Sequence, residues 1–395
     1  MTRRQLGRLI CALGVAQIIS WGSLFYSIAV LGESMRADLG VSGTWLFGAF
    51  TAGLVCSGLV SPLVGRTIDT RGGWLVLSAG SLIAALSLLV LSQAEGIPAL
   101  FVGWGLAGVA MAACLYDPAF ATLHQLTGKA YRRSVTALTL FGGFASTVFW
   151  PLSQFLLDRV GWRVTFELYA LLHVIVCLPL HAWLVARPTV IDALSPGAEE
   201  GTADIAQRAG RTSFVLLAIA LSIASFVAAG LSAHLIVLFR SSGIEAQTAV
   251  WIASLIGPMQ VAGRIVELVF SRQLRPLAVG SLAFGLMALA MLLLNMVDRF
   301  GGLAWLFAAV YGWSNGILTI VRGTVPAELF GRKGYGALLG RLALPSFVCK
   351  AFAPLAVSLV LVGAQERSLG LYAMLGLAFA AVLAYQLALA LRTRA

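Results

Sequence analysis

Apolar stretches of about twenty residues recur along this chain, and no other feature limits its fold as strongly. The first runs from Leu9 to Leu31 and the last from Leu369 to Leu391. Ten more lie between them, among them Trp45–Val64, Pro98–Leu126, Val135–Leu157, Val164–Val185, Thr248–Phe270, Leu303–Ala327 and Tyr335–Val362. Crossing the hydrocarbon core of a bilayer takes ~20 apolar residues in a helix, because helices satisfy their own backbone hydrogen bonds. A transmembrane barrel would instead show ten-residue segments of alternating polarity. Charged residues make up 11% of the sequence, where soluble chains carry about 25%. The expectation is an all-α integral membrane protein with twelve transmembrane helices. Arg3 and Arg4 precede the first apolar run as in a signal peptide, but no small-residue cleavage site closes it and eleven similar runs follow, so it reads as the first membrane helix.

Basic residues set the orientation, since short loops rich in Lys and Arg stay on the cytoplasmic side. With both termini cytoplasmic, the inner segments hold 17 of the 27 Lys and Arg and the outer loops 6; Arg264, Arg322, Arg341 and Lys350 fall within helices. The net charge of +11 is therefore scattered through short loops, with no basic face that would follow a nucleic-acid backbone. One connection is long and polar, with Pro188, Ser195, Pro196 and Gly197 among four acids. It divides the chain into an N-terminal six-helix bundle (1–187), a cytoplasmic linker (188–212) and a C-terminal six-helix bundle (213–395).

Two such bundles joined by a linker match a known transporter architecture. Between the second and third stretches stands Gly65-Arg66-Thr67-Ile68-Asp69-Thr70-Arg71-Gly72-Gly73. This resembles the G-x-x-x-D-x-x-G loop signature of the major facilitator superfamily, in which glycines allow a tight reversal and an acid bridges helix ends. Gly65, Arg66, Asp69, Arg71 and Gly72 are accordingly the expected gating motif. In the second half, Gly263-Arg264-x-x-Glu267 either repeats that loop or places Arg264 about two turns inside the eighth helix. The second register leaves a full-length helix and keeps Leu268, Val269 and Phe270 out of water. In that register Arg264 is similar to the embedded arginine of the monocarboxylate-transporter and oxalate/formate-antiporter branches, and Leu39-Gly40-Val41-Ser42-x-x-Trp45 resembles those branches too. The acid that the monocarboxylate branch sets one turn earlier is here Gln260.

Charges inside a bilayer are costly and are placed in cavities or paired, so they carry the functional expectation. Arg264 offers two parallel donors to a carboxylate, or else pairs with Glu267 one turn away. Lys350, between Pro345 and Pro354, resembles the basic residue of the oxalate/formate branch on its eleventh helix. Arg341, about 180° around that helix, points to the interface. Asp117, in Tyr116-Asp117-Pro118, is the candidate proton carrier, or else a counter-ion or a partner at a Pro-adjacent bend. Tyr311, Asn315, Leu318 and Arg322 form one stripe; Tyr311 and Asn315 face the pathway, and Arg322 meets Glu328 or a lipid headgroup as a gate. Gln17, Trp21 and Phe25 repeat every four residues, next to Tyr26; Gln17 and Trp21 are counted with Arg264, Lys350, Tyr311 and Asn315 as expected substrate-binding residues, helix packing being the other reading of that spacing. His234 reads as a hydrogen-bonded packing histidine.

The implied function is secondary transport of a small organic anion across the cytoplasmic (inner) membrane, as symport or antiport, with the lipid bilayer as surroundings and no required protein partner. The alternative is an exporter of amphipathic or aromatic compounds lined by Trp21, Phe25, Tyr26, Trp150, Trp251 and Tyr311. Gly103-Trp104-Gly105-Leu106-Ala107-Gly108 satisfies a dinucleotide fingerprint, but no strand precedes it, so it is a helix-packing surface. With no Walker loop, C-x-x-C or H-E-x-x-H, the sequence implies no enzyme activity, catalytic residue, metal or cofactor. The five cysteines lie within apolar stretches and imply no disulfide.

Overall fold

A computed structural model describes residues 2–185, 210–270, 273–331, 333–360 and 364–391. Every regular element among them is helical. They divide into two compact units, Met1–Thr202 with Arg332–Leu344, and Ala203–Gly331 with Pro345–Ala395. The connection read as 188–212 lies outside the described residues up to residue 209.

Unit 1 begins with α1, Arg3–Leu39, whose Thr2 and Gln5 form a capping box and whose end is set by Gly40 at φ 62°. It continues with α2 (Gly43–Arg71), α3 (Gly73–Ser92), α4 (Ile97–Cys114), α5 (Tyr116–Thr127), α6 (Tyr131–Gly143), α7 (Ala145–Leu172) and α8 (Leu178–Val185). Unit 2 contains α9 (Arg211–Ser241), α10 (Ala246–Phe270), α11 (Pro276–Met296), α12 (Leu303–Phe330), the part of α13 (Tyr335–Val360) from Pro345 onward, and α14 (Ala364–Ala390). Ten of these helical runs are long and apolar enough to cross a membrane. One is Ile97–Ala182, 86 residues whose helices are interrupted at Leu115, at Gly128 (φ 52°) and at Gly161 (φ 77°).

Two short stretches are π-helical, Trp21–Tyr26 within α1 and His173–Cys177 between α7 and α8. They meet through Ser23, whose hydroxyl lies 2.9 Å from Nε2 of His173. His181 pairs in the same way with Ser81 of α3, at 2.9 Å. Both are packing histidines, as is His234, whose Nε2 lies 2.8 Å from the Pro354 carbonyl.

Small residues set the helix crossings, as expected where lipid supplies no hydrophobic drive between helices. A Cβ on Gly108 of α4 would strike the backbone of Gly53 on α2, and one on Gly53 would strike the Trp104 carbonyl. Gly103 meets Leu91 of α3, so the Gly103–Gly108 run is a packing surface. In unit 2, Gly312 and Gly316 of α12 lie against the backbone of Ile256 and Gln260 on α10. Replacing Gly108 with Leu should force α2 and α4 apart. The expected cost is roughly 1–3 kcal/mol, seen as a lower melting temperature of the detergent-purified protein.

Candidate functional site

In unit 1 the chain bends at Leu115, which is extended (φ −81°, ψ −157°) between α4 and α5. Pro118 explains the break: its ring has no N–H for the carbonyl of Cys114 four residues earlier and clashes with a continuing helix. Gln17 of α1 takes up that carbonyl. It is fully buried, and its amide nitrogen donates to the carbonyls of Cys114 at 2.7 Å and Leu115 at 3.3 Å. Its amide oxygen accepts the indole N–H of Trp21 at 3.2 Å. Gln17 and Trp21, paired in the sequence by spacing, are thus joined to the helix break that carries Asp117. Asp117 is half-buried in the first turn of α5 and lines a small cavity with Ser61, Gly65, Pro118 and Gly336.

The other side of that cavity belongs to the glycine-rich motif. Helix α2 runs through it to Arg71, so Gly65–Arg71 is the last part of a helix, and the reversal is confined to Gly72 at φ 83°. Gly65 serves close approach instead: a Cβ there would strike the Gly336 carbonyl. Arg66 and Arg71 are exposed, while Asp69 turns inward. Its two carboxylate oxygens accept the N–H of Gly336 at 2.8 Å and of Ala337 at 2.7 Å. The acid therefore caps the first turn of α13, whose N–H groups have no partner inside the helix, and its charge opposes the positive end of the helix dipole. Nearby, His124 stacks on Tyr335 at 4.1 Å, and the hydroxyls of Tyr131 and Tyr335 are 2.9 Å apart. Gln125 donates to the Ile68 carbonyl at 2.8 Å.

Unit 2 holds the embedded cations. Helix α10 continues past Arg264 to Phe270, and Arg264 is only 4% exposed, with Nε 3.4 Å from the Gly316 carbonyl. Glu267, one turn on, is 5% exposed. Arg272, further along the chain, lies outside the described residues. Two further cations meet on one ring: the Arg322 guanidinium of α12 lies 5.7 Å, and the Lys350 ammonium of α13 5.3 Å, from the Phe347 centroid. The sequence assigns Arg322 to a gate and Lys350 to the site; the fold places both beside Phe347. Lys350 follows Phe347 by three residues, one helical turn, which is legible in the sequence. The approach of Arg322 comes from packing between helices and leaves no sequence signal. Tyr311 is 5% exposed and stacked on Phe307 at 5.5 Å, and among the described residues its buried hydroxyl meets no hydrogen-bond partner. Asn315 is half-buried one turn further. Among the described residues no three His, Cys, Asp or Glu side chains gather as a metal site.

Residues 13–340 match the family described as the Major Facilitator Superfamily, well over half of the sequence. The chain belongs to that family. Its fold is similar to that of the human organic anion transporter MFSD10 (TETRAN), at a TM-score of 0.73 and 17% identity over 98% of this chain and 100% of the other. It is also similar to the proton:xylose symporter XylE bound to 6-bromo-6-deoxy-D-glucose, at a TM-score of 0.75 and 13% identity over 97% of this chain and 95% of that one. At such identities the likeness establishes a shared fold. None of the curated proteins matches the chain in sequence.

Asp69 offers a direct check. An asparagine in its place would present an amide N–H to one of the two backbone donors. Asp69→Asn should lose about one hydrogen bond to a charged group, about 1.5–3 kcal/mol. Hydrogen exchange of the Gly336 and Ala337 amides should speed up by roughly tenfold or more, while amides in α3 stay unchanged.

Proposed function

We propose that this member of the family is a secondary active transporter of a small organic anion, working by alternating access in the cytoplasmic (inner) membrane, as a symporter or antiporter. The observation that carries the reading is the convergence of Arg322 and Lys350 on Phe347. Two cations from separate apolar helices, held beside one ring, raise the local potential where a carboxylate would be desolvated, and both can donate charge-assisted hydrogen bonds to it. Arg264 lies in the same unit, buried against α12 with Glu267 one turn along its own helix. Tyr311 and Asn315 supply neutral polar groups on the face of α12 that leads to Arg322. The organic-anion neighbour agrees with this substrate class.

The topology proposed with it has twelve crossings and both termini cytoplasmic. A single helix of 86 residues would be about 130 Å long, against ~30 Å of hydrocarbon. In this reading Ile97–Ala182 makes three crossings, parted near the breaks at Gly128 and Gly161, so that the ten runs count as twelve. The distribution of Lys and Arg orients them. Asp117, which lines the small cavity with Ser61 and Gly336, is the proposed proton carrier, and the Asp69 cap closes the cytoplasmic end when α13 is engaged. Transport is the activity, without chemical change of the substrate, and requires neither a cofactor nor a partner protein.

The test is ligand-dependent melting of the purified protein with acetate, lactate, oxalate and benzoate against tetraphenylphosphonium and ethidium. Stabilisation by the anions is expected, with Lys350→Gln and Arg322→Gln each weakening their apparent affinity at least about tenfold. Arg264→Gln should abolish anion uptake into proteoliposomes. Stabilisation by the hydrophobic cations alone, indifferent to these substitutions, would overturn the reading in favour of an exporter of amphipathic or aromatic compounds.

A further inference from the structure

Unit 2 has an open groove where the first turns of α11 meet the last turns of α14, both of them elements of that unit. Its volume is about 440 Å³, and it is lined by Arg275, Leu277, Ala278 and Ser281 on one wall and by Gln386 and Leu389 on the other. A tyrosine in the seam keeps these helix ends from closing on each other. Tyr385 is fully buried there, its hydroxyl donating to the Leu277 carbonyl at 2.9 Å and its ring 4.8 Å from Phe284. Gly280 makes room for it, since a Cβ there would strike the hydroxyl. So large a side chain holds the two backbones apart, and the small Ala278 and Ala390 beside it leave the space unfilled.

The groove lies at the level where hydrocarbon gives way to water, because one apolar run begins at Pro276 and another ends at Ala390. Its charge is of one sign. Arg275 is exposed, and among the described residues no ion pair engages it and no acid lines the groove. The acid felt at Tyr385, Glu328 of α12, is not part of the lining. The N–H groups of Leu277 and Ala278 stand in the first turn, uncapped by any side chain, so the positive end of α11 adds to the guanidinium. Ser281 follows Arg275 by six residues, which sets its hydroxyl about 9 Å deeper in the membrane, and Gln386 supplies a second polar group on the opposite wall. Between these polar points the walls are apolar.

We propose that this groove binds one anionic glycerophospholipid. Its phosphate is held by Arg275, its glycerol esters lie against Ser281 and Gln386, and an acyl chain follows Leu277, Ala278 and Leu389. A guanidinium presents two parallel donors to a phosphate, and basic pockets between transmembrane helices hold phospholipid headgroups in this way. A soluble anion would use the first contact alone, whereas a lipid uses the whole length of the groove. The transported substrate does not enter the inference, and the topology proposed above decides only the leaflet from which the lipid comes.

Native mass spectrometry of the full-length chain, released from micelles holding equal amounts of dioleoylphosphatidylglycerol and dioleoylphosphatidylcholine, reads the site. The expected result is one phosphatidylglycerol retained roughly tenfold or more tightly than phosphatidylcholine. Arg275→Gln should reduce that preference about tenfold. Ala278→Trp, which fills the groove and keeps the charge, should lose the retained lipid; if it does not fold, the exposed Arg275→Gln still reads the preference. Arg299→Gln, beyond the far end of α11, should retain the lipid as the unaltered chain does. Phosphatidylglycerol should also raise the melting temperature of the purified chain, where inorganic phosphate does not. Equal retention of the two lipids, or a preference that Arg275→Gln leaves intact, overturns the proposal. Stabilisation by inorganic phosphate equal to that by phosphatidylglycerol overturns it too, in favour of a site for a soluble anion.

Discussion

Inside hydrocarbon every backbone N–H and C=O must find its partner in the protein, and the arrangement of this chain follows from how that demand is met where helices stop. Along a regular helix it is met automatically. At the break before Pro118 it is not, and a glutamine from α1 reaches the Cys114 carbonyl that the proline leaves without a donor. At the start of α13 it is not, and the Asp69 carboxylate takes two N–H groups. Elsewhere single side chains do similar work: Asn295 donates to the Leu371 carbonyl and Ser314 to that of Ala283. Each such contact joins two helices through a directional bond, in an environment where apolar packing alone would leave them free to slide.

The Gln17 bond has a wider reach than its size suggests. The same amide holds the break in front of Asp117 and the indole of Trp21, so two residues that the sequence singles out separately share one neutral hydrogen-bonding partner.

Most of the architecture was legible in the sequence because lipid imposes a length and a polarity that leave little choice. The described apolar stretches lie on helices, but the helices outrun several of them: the first spans Arg3–Leu39 against Leu9–Leu31, and breaks at Leu115 and Phe144 fall inside Pro98–Leu126 and Val135–Leu157, while Gly161 breaks the long run between Leu157 and Val164. The G-x-x-x-D signature was equally visible, yet its meaning was only half so. Glycine and acid could be read, but the residues they serve, Gly336 and Ala337, lie more than 260 positions away and offer only backbone. For the same reason the approach of Arg322 to Phe347 could not be foreseen, because periodicity places a residue on a face and does not name the neighbouring helix. The π-helical turns left no trace in composition at all; they are answers to packing, visible only once Gly22 meets Phe149 and Ser23 meets His173.

The turn at Trp21–Tyr26 also fixes how the sequence of α1 can vary. A widened turn holds one residue more than the helix on either side requires, and the extra residue is absorbed within the turn, so the flanking segments keep their facing. Deleting a single residue there would restore an ordinary turn and leave Ser27–Leu39 facing as they do now, because five residues of α-helix rotate the chain by about as much as six of the widened turn. Ile28, Leu31 and Met35 would stay buried, and the approach of Phe25 and Tyr26 to Trp21 would be what is lost. The length of this stretch can therefore change by one residue without disturbing the core, so relatives that keep the helix packing without the widened turn should align with a one-residue gap at Trp21–Tyr26.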